Sequence, residues 1–423
     1  MSDAPRLKKN TIAGSIGNVM EWYDFAVFGF LAPIISPLFF PSEDYLAGLI
    51  KIYGVFAAGY LMRPIGGMIF GYIGDRLGRK KALQLSIFLM CVPTVCVGLL
   101  PTHASAGEMA ALLLIICRLL QGISVGGELI GSISFISEIA PPKERGFYGS
   151  LTLFSAIGGV LVGSGVATLL TNTLDHGAMQ EYGWRIPFIA GIIVGGVGIW
   201  LRKNLDESPD YQKIKDAGAL PENPVFEVLR TMPKEILQLS FMVSLFGTGF
   251  YMLFIWMPTY LTKIVELPVE HALLVNTISM TFLIFFILVA GKLSDRFGRK
   301  RILGIGTLLI GLCAYPLFVI LDQGSMVEAL AAQLAFAFLL ALIQGPMPAT
   351  MVEMFPTKYR FSGIALGYNI TLAIFGGTAP MVCTWMVAET NDIAAPAYYL
   401  IVVAVISGVA LYFVKLREGE HLQ

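Results

Sequence analysis

Charged side chains that lie inside apolar stretches are the strongest chemical signal in this sequence. Glu21 and Asp24 lie three residues apart in one apolar stretch. Arg63 lies in a later stretch, and Arg118 and Glu128 share another. Apolar surroundings raise the proton affinity of a carboxylate, and a nearby arginine lowers it again. That balance is typical of a proton-coupling site, which is the role we predict for Glu21, Asp24 and Glu128.

The same buried charges also have a structural interpretation. A charge in a membrane-spanning helix costs about 3 kcal/mol on insertion scales, so these charges are expected to pair or to line a wet cavity. Arg118, Gln121 and Glu128 fall on one face of a helix, which favours one shared cavity. A static ion pair of Arg118 with Glu21 or Asp24 is the alternative.

Arginine is the residue best suited to hold a substrate carboxylate, because its planar guanidinium can bond both oxygens. Arg118 is the first candidate, and Arg63 is the second, with helix packing as its alternative role. Aromatic and amide side chains of the second half, among them Asn276, Tyr368 and Trp385, are candidates to close a cavity, although such residues are also common in cores and at membrane interfaces. The further substrate contacts predicted are Trp22, Tyr23, Gln121, Tyr251, Trp256, Gln344 and Asn369.

Composition indicates that lipid, rather than water, surrounds most of the chain. Of 423 residues, 56% are hydrophobic and 14% are charged, and the mean hydropathy is +0.73. Basic and acidic residues each number 29, so bulk charge gives no basis for nucleic-acid binding. The five cysteines lie in apolar stretches without metal-ligand spacing, and we expect no metal and no cofactor. Since no phosphate-binding loop or nucleophile triad can be read, the sequence predicts a carrier driven by an ion gradient and not an enzyme.

Twelve apolar stretches are long enough to cross a bilayer, which takes about 20 residues in a helix. The first six lie near residues 12–38, 49–73, 82–101, 109–137, 148–172 and 185–201. The other six lie near residues 238–261, 271–293, 301–321, 328–352, 362–388 and 396–414. We therefore predict an all-α integral membrane protein with two pseudo-symmetric six-helix bundles, 1–202 and 236–423, joined by a linker, 203–235.

Basic residues are distributed unevenly among the predicted loops. Of the 29, 24 lie on the side that the two termini share, three lie on the other side, and Arg63 and Arg118 lie inside apolar stretches. By the positive-inside rule, both termini are expected to be cytoplasmic. The first apolar stretch lacks the features of a removed signal peptide, so we expect it to remain as a span.

A short polar loop occurs twice, at equivalent positions of the two halves. Residues 71–81 read GYIGDRLGRKK, and residues 291–301, which lie 220 positions later, read GKLSDRFGRKR. A weaker repeat follows spans four and ten, where Glu138 and Arg145 match Glu353 and Arg360. Basic residues collect in any cytoplasmic loop, but that alternative does not explain a pattern that recurs at equivalent places.

With these two loops the chain resembles the major facilitator superfamily, whose GxxxDRxGRK loops lie at the same two junctions. The resemblance covers essentially the whole chain and implies alternating access around a central site between two helix bundles. It also implies charged cytoplasmic gates that govern conformation rather than contact substrate. The gate residues implied are Gly71, Asp75, Arg76, Arg79, Glu138, Arg145, Gly291, Asp295, Arg296, Arg299, Glu353 and Arg360.

The buried residues are similar to those of one branch of that family, the metabolite:proton symporters. The similar segments are NVMEWYDF at 18–25, RPIG at 63–66 and RLLQGISVGGE at 118–128. Members of this branch carry proline and betaine, citrate, dicarboxylates or shikimate, and most import a small carboxylate-bearing molecule with a proton. The resemblance implies the same function here, in a bacterial inner membrane. We expect a monomer whose partners are a small molecule, protons and lipid.

A proton-coupled exporter of a metabolite, siderophore or drug is the main alternative. Such antiporters often carry a Gly-Pro motif in span five, and the corresponding residues here, 155–163, read SAIGGVLVG without a proline. That departure favours uptake. A sensor on the same fold is a further alternative, for which an added soluble domain would be expected.

Overall fold

The computed structural model describes residues 4–43, 45–203 and 205–416, and these residues form helices and connecting turns without a strand. Eleven helical segments among them are long and apolar enough to cross a membrane. A twelfth apolar region is divided into two shorter helices, α2 and α3, whose bounds are given below. The predicted all-α membrane fold is confirmed.

The described residues up to 203 contain nine α-helices. They are α1 (Ala4–Phe39), α2 (Tyr45–Leu61), α3 (Arg63–Tyr72), α4 (Arg79–Leu99), α5 (His103–Ala106), α6 (Glu108–Ile139), α7 (Arg145–Thr173), α8 (His176–Ala178) and α9 (Arg185–Lys203). Short π-helical turns, Ile73–Leu77 and Met179–Gly183, and a 3₁₀ turn, Pro142–Glu144, lie between them.

The remaining described residues add eleven α-helices. They are α10 (Pro209–Asp216), α11 (Pro224–Thr231), α12 (Pro233–Phe250), α13 (Met257–Lys263), α14 (Val269–Phe297), α15 (Arg299–Leu321), α16 (Met326–Gln344), α17 (Met347–Met354), α18 (Arg360–Thr371), α19 (Gly377–Thr390) and α20 (Pro396–Phe413). π-Helical segments, Tyr251–Trp256 and Leu372–Gly376, interrupt two of the spans, and a 3₁₀ turn, Thr357–Tyr359, precedes α18.

The chain forms two compact units. Unit 1 contains the residues up to Ile136 together with Ser155–Pro224, and unit 2 contains Ser137–Phe154 together with the residues from Val225 onward. The end of α6 and the first third of α7 therefore group with unit 2. The boundaries predicted from the sequence, 1–202, 203–235 and 236–423, stay a prediction.

The break between α2 and α3 lies within the second predicted span, 49–73. Pro64 follows Arg63 at the start of α3, and proline lacks a backbone N–H and clashes with the preceding helical turn. Opposite the break, α2 and α3 press against the backbone of α6. A Cβ at Gly66 would lie 2.1 Å from the carbonyl oxygen of Ile123, and one at Gly122 would lie 2.1 Å from that of Gly59. Glycine is required at both positions for this close approach.

Inside unit 1, α9 packs along α4 and α1. The core beside them contains large apolar side chains, including Phe28, Phe39, Trp184 and Phe188. In unit 2, α14 and α15 pack on α16, and α12 packs between α18 and α20. Each unit therefore has its own helical core.

The predicted linker begins with a segment that packs on the first Asp-Arg loop, within unit 1. The backbone N–H of Lys80 donates to Glu207 (3.2 Å), and Arg76 donates to the carbonyl of Pro221 (2.7 Å). The Tyr211 hydroxyl donates to the Arg76 carbonyl (3.0 Å), and burial raises the pKa of Tyr211. These contacts fix the linker segment to the loop.

Candidate functional site

A buried hydrogen-bonded cluster in unit 1 joins three helices through Asp24 of α1, Thr94 of α4, and Arg118 and Gln121 of α6. Arg118 Nη1 donates to Asp24 Oδ2 at 2.5 Å and to Gln121 Oε1 at 2.8 Å. Gln121 Nε2 lies 2.8 Å from both Asp24 Oδ1 and Thr94 Oγ1. Thr94 Oγ1 also donates to Asp24 Oδ1 at 2.9 Å. The structure thus brings three of the predicted residues together and adds Thr94.

The Arg118 side chain is only 1% exposed, yet part of its guanidinium lacks a protein acceptor. Nε and Nη2 have no hydrogen-bond partner among the described residues. Three aromatic rings surround the guanidinium carbon, with centroids 4.8 Å away in Phe25, 4.3 Å in Phe28 and 5.7 Å in Phe56. Cation–π attraction stabilises the buried charge without occupying these N–H groups. They remain available for an anionic ligand.

Glu21 lies one helical turn from Asp24 and is also fully buried. Its Oε2 atom has no hydrogen-bond partner in the described part of the chain. The charged groups that act on it are Arg63, Glu128 and Asp24. Arg63 is buried as well, with its guanidinium carbon 5.4 Å from the centroid of the Tyr60 ring. A carboxylate with an unbonded oxygen in apolar surroundings is suited to bind a proton.

Glu128 belongs to a different cluster from Arg118. Its carboxylate accepts from both Nη atoms of Arg202, one of them at 3.0 Å, and from the Ser86 hydroxyl. Arg118 and Glu128 are ten positions apart, which is about 15 Å along α6. They belong to different hydrogen-bonded clusters, while one shared cavity and a proton-coupling role for Glu128 stay predictions.

Arg202 was not predicted as a member of a buried cluster. It is fully buried at the end of α9 and donates to the carbonyls of Ala13 (3.0 Å), Gly14 (3.1 Å) and Leu83. Its guanidinium thus joins α1, α4, α6 and α9. A buried arginine with this many acceptors has a fixed structural position.

Two aromatic side chains of α1, Tyr23 and Trp22, were predicted to contact the substrate. The Tyr23 hydroxyl donates to the carbonyl of Pro187 on α9 (2.7 Å), so the structure does not bring it to the Arg118 cluster. Trp22 is half-buried. Substrate contact by these two residues stays a prediction.

The predicted substrate residues of unit 2 are all buried: Tyr251, Trp256, Gln344 and Asn369. Trp256 Nε1 donates to Thr384 Oγ1 at 3.0 Å, and Gln344 Oε1 has no hydrogen-bond partner among the residues described. Trp385 is 61% exposed, and its part in closing a cavity stays a prediction. Tyr368 packs edge-on against Phe246, with ring centroids 5.8 Å apart.

Within unit 1, the first Asp-Arg loop follows the buried Gly71 and has an internal ion pair. Arg79 Nη1 lies 2.8 Å from Asp75 Oδ1 and donates to the carbonyl of Gly74 at 2.6 Å. Both charged side chains are fully buried. This pair fixes the turn at Gly78, whose φ of 115° favours glycine.

In unit 2, the second Asp-Arg loop caps a helix. Both oxygens of Asp295 accept backbone N–H groups at the start of α7, from Gly146 and Phe147, at 2.8 Å each. Arg299 lies 2.7 Å from Asp295. A Cβ at Gly291 would lie 2.6 Å from the Gly146 carbonyl, so the helices meet at backbone distance. The carboxylate thereby occupies the positive end of the α7 dipole.

Two further ion pairs in unit 2 connect residues from the two sequence repeats. Arg360 Nη1 lies 2.7 Å from Glu138 Oε1, and Arg145 Nη1 lies 3.5 Å from Glu353 Oε1. Arg299 also reaches Glu353, at 3.4 Å. Of the predicted gate residues, these ion pairs bring together Glu138, Arg145, Arg299, Glu353 and Arg360, whereas their function as gates stays a prediction.

Sequence reasoning missed three members of the buried clusters: Ser86, Thr94 and Arg202. Ser86, Met90 and Thr94 lie four residues apart on α4, so the two hydroxyls share one helix face. That spacing was a readable signal. Nothing local distinguished Arg202 from the neighbouring linker cations.

Comparisons with known proteins agree with this architecture. The family model described as Major Facilitator Superfamily matches residues 14–380 and, in a second match, 270–422. A proline/betaine transporter of Salmonella typhimurium is 36% identical over 413 residues, which are 96% of this chain and 82% of that protein. The glycine betaine/proline/ectoine/pipecolic acid transporter OusA of Dickeya dadantii is 35% identical, over 100% of this chain and 86% of its own.

A solved structure supports the fold alone. The proton:xylose symporter XylE superposes with a TM-score of 0.83 at 19% identity, covering 100% of this chain and 98% of its own.

Proposed function

Since the chain belongs to the Major Facilitator Superfamily, we propose that it imports a small carboxylate-bearing metabolite together with a proton. Its family shows that the chain is a multi-pass membrane protein for secondary active transport and not an enzyme. The single observation that supports a carboxylate-bearing substrate is the buried guanidinium of Arg118, which has two nitrogen atoms unbonded among the described residues.

The surroundings of Arg118 favour a zwitterionic substrate. A carboxylate can bond its unbonded Nε and Nη2 in the two-pronged geometry that guanidinium prefers. The rings of Phe25, Phe28 and Phe56 provide an apolar and electron-rich wall for the substrate's alkylated ammonium group. The relatives named after proline, betaine and pipecolic acid carry molecules with these two groups.

Coupling to a proton follows from the charge balance at Arg118. Asp24 neutralises Arg118 when the site holds no ligand, because the two form a buried ion pair. A substrate carboxylate on the same guanidinium leaves one negative charge in excess, and a proton on Asp24 removes that charge. Glu21, one turn away and with an unbonded oxygen, is the proposed relay for this proton.

The ion pairs that follow spans four and ten are the proposed gates, together with the Asp-Arg loops beside them. Alternating access requires elements that exist in two arrangements. Glu138–Arg360 and Arg145–Glu353 connect residues of the two repeats, so their rupture can accompany the change of state. We place the protein in a bacterial inner membrane as a monomer with cytoplasmic termini.

Uptake into proteoliposomes tests this proposal. Purified protein is reconstituted, a pH gradient acid outside is imposed, and accumulation of radiolabelled glycine betaine, L-proline and citrate is measured. We expect gradient-driven accumulation of glycine betaine or L-proline that a protonophore abolishes. Choline, which has the ammonium group without the carboxylate, is the matched control and should not compete. Accumulation that continues in the presence of the protonophore would contradict proton coupling. Competition by choline would contradict carboxylate binding by Arg118.

A further inference from the structure

A charged cleft in unit 2 lies outside the residues used above for substrate and proton. It has a volume of about 480 Å³ and is lined by the start of α7 and the end of α14. Its lining residues are Lys143, Glu144, Phe147, Tyr148, Lys292, Leu293, Asp295 and Arg296. The cleft is therefore both cationic and aromatic.

The three cations of this cleft form no ion pair with the described part of the chain. Within the described residues, neither Lys143 nor Lys292 nor Arg296 has an ion-pair partner. The Asp295 carboxylate is already engaged by Arg299 and by two backbone N–H groups. Glu144 is thus the remaining acidic side chain, so the cleft has an excess of positive charge.

An apolar stripe leads along α14 into this cleft. Phe285, Val289, Lys292 and Arg296 lie within about 60° of one another around the helix, because their spacing is four, three and four residues. Phe285 is 58% exposed and Val289 is 54% exposed on a segment long enough to span a membrane. The stripe covers about 16 Å of helix length. Its apolar residues are followed by cations, so the stripe matches the acyl chains and the charged head group of a phospholipid.

The geometry points to a binding site for one anionic phospholipid in this cleft. Its phosphate lies among Lys143, Lys292 and Arg296, and its acyl chains follow Phe285 and Val289. Basic pockets at the ends of membrane helices favour anionic head groups in this manner. The Tyr148 ring, half-buried at the rim and 5.6 Å from Phe147, gives the head group an aromatic wall. Lipid binding here requires neither the proposed substrate nor the proposed proton, although Arg296 belongs to the second Asp-Arg loop and is among the predicted gate residues.

Native mass spectrometry of the purified full chain tests the site. Palmitoyl-oleoyl phosphatidylglycerol is titrated in detergent against phosphatidylcholine with the same chains. We expect one phosphatidylglycerol to be retained at least tenfold more tightly than phosphatidylcholine. Lys143→Gln with Lys292→Gln should abolish this preference. Lys143→Arg with Lys292→Arg keeps both charges and should retain it, which separates charge from folding.

A matched control and a competitor complete the test. Lys213→Gln with Lys215→Gln removes two charges from α10 in unit 1 and should leave lipid binding unchanged. Equal retention of both lipids, or full retention by the Lys143 and Lys292 glutamine variant, would overturn the site. Displacement of phosphatidylglycerol by inorganic phosphate at equal concentration would show a free-phosphate site and overturn the lipid assignment.

Discussion

Arg118 Nη1 lies 2.5 Å from Asp24 Oδ2, and neither side chain reaches the surface of unit 1. Arg118 Nε and Nη2 have no hydrogen-bond partner among the described residues, and we propose that the substrate carboxylate binds there. Two carboxylates on one guanidinium would leave a negative charge in apolar surroundings, and burial favours its neutralisation by a proton. The proposed mechanism thereby links ligand binding and protonation at one pair of residues.

The variant Asp24→Asn tests this link. It should lose gradient-driven accumulation of glycine betaine, because the asparagine amide does not bind a proton. Its free energy of unfolding should fall by about 3 kcal/mol, since Arg118 loses its buried counter-ion. Glycine betaine should then raise the melting temperature more than in the native protein, because its carboxylate supplies the missing charge. Uptake assays and thermal unfolding measure these effects.

The control for Asp24→Asn is Glu128→Gln. It breaks another buried ion pair of unit 1, with Arg202, and should lower the melting temperature by a comparable amount. Glycine betaine should not restore this loss, because Glu128 lies in the other cluster. Normal accumulation by Asp24→Asn would contradict the coupling role of Asp24.

The variant Glu21→Gln should separate coupling from stability. Because Glu21 Oε2 has no hydrogen-bond partner among the residues described, the amide should change the free energy of unfolding by about 1 kcal/mol or less. Accumulation under a pH gradient should be lost, while exchange of labelled for unlabelled glycine betaine should continue. Glu21→Asp keeps a carboxylate and should retain part of the accumulation. Equal accumulation by Glu21→Gln and the native protein would exclude Glu21 as the proton relay.

The sequence was sufficient for the fold and for the identity of most buried charges. Hydropathy located the spans, and the repeated Asp-Arg loop identified their two-fold arrangement. Asp24, Arg118 and Gln121 were predicted as site residues, and the structure brings them together. Helical spacing placed Gln121 beside Arg118, because side chains three or four residues apart share a face.

The choice of ion-pair partners could not be read from the sequence. Glu128 shares a helix face with Arg118, yet its partner is Arg202, 74 residues away. That pairing depends on helix contacts: a Cβ at Gly17 would lie 1.8 Å from Glu128 Oε1, so glycine there leaves room for the carboxylate. Helical periodicity gives directions around one helix and no information about which neighbour packs there.

The variant Arg118→Lys should weaken binding of carboxylate ligands at least tenfold, because an ammonium group cannot form the two-pronged bond. Binding of glycine betaine is measured by calorimetry on the purified protein. Arg202→Lys is the matched control in the same unit. It should lower the melting temperature, since Arg202 bonds Glu128 and three carbonyls, and leave the affinity unchanged. Unchanged affinity in Arg118→Lys would exclude the proposed carboxylate contact.

The ion pair between Glu138 and Arg360 should control the rate of transport. Its N–O distance of 2.7 Å and full burial make it tighter than Arg145–Glu353 at 3.5 Å. Glu138→Gln should reduce the uptake rate about tenfold while glycine betaine affinity stays the same, because the gate and not the site is changed. Glu222→Gln, which removes an exposed charge from the linker, should have no effect.

Charge exchange distinguishes a gate from a merely structural pair. Glu138→Arg and Arg360→Glu should each abolish uptake, since each leaves two like charges buried together. The double variant should recover part of the rate. If the double variant were no better than either single variant, the pair would not act as a gate through its mutual attraction.

The Thr94 hydroxyl should tune the proton site, because it has one proton and two acceptors. Its Oγ1 atom lies 2.9 Å from Asp24 Oδ1 and 2.8 Å from the Met90 carbonyl. An ionised Asp24 accepts this proton, whereas a protonated Asp24 releases the hydroxyl to Met90. Thr94→Val keeps the shape and removes the hydrogen bond to the charged form. The uptake rate should therefore fall about tenfold. Thr94→Ser keeps the hydroxyl and should retain the native rate, and equal rates for the valine variant and the native protein would show that the Thr94 hydroxyl does not contribute to transport.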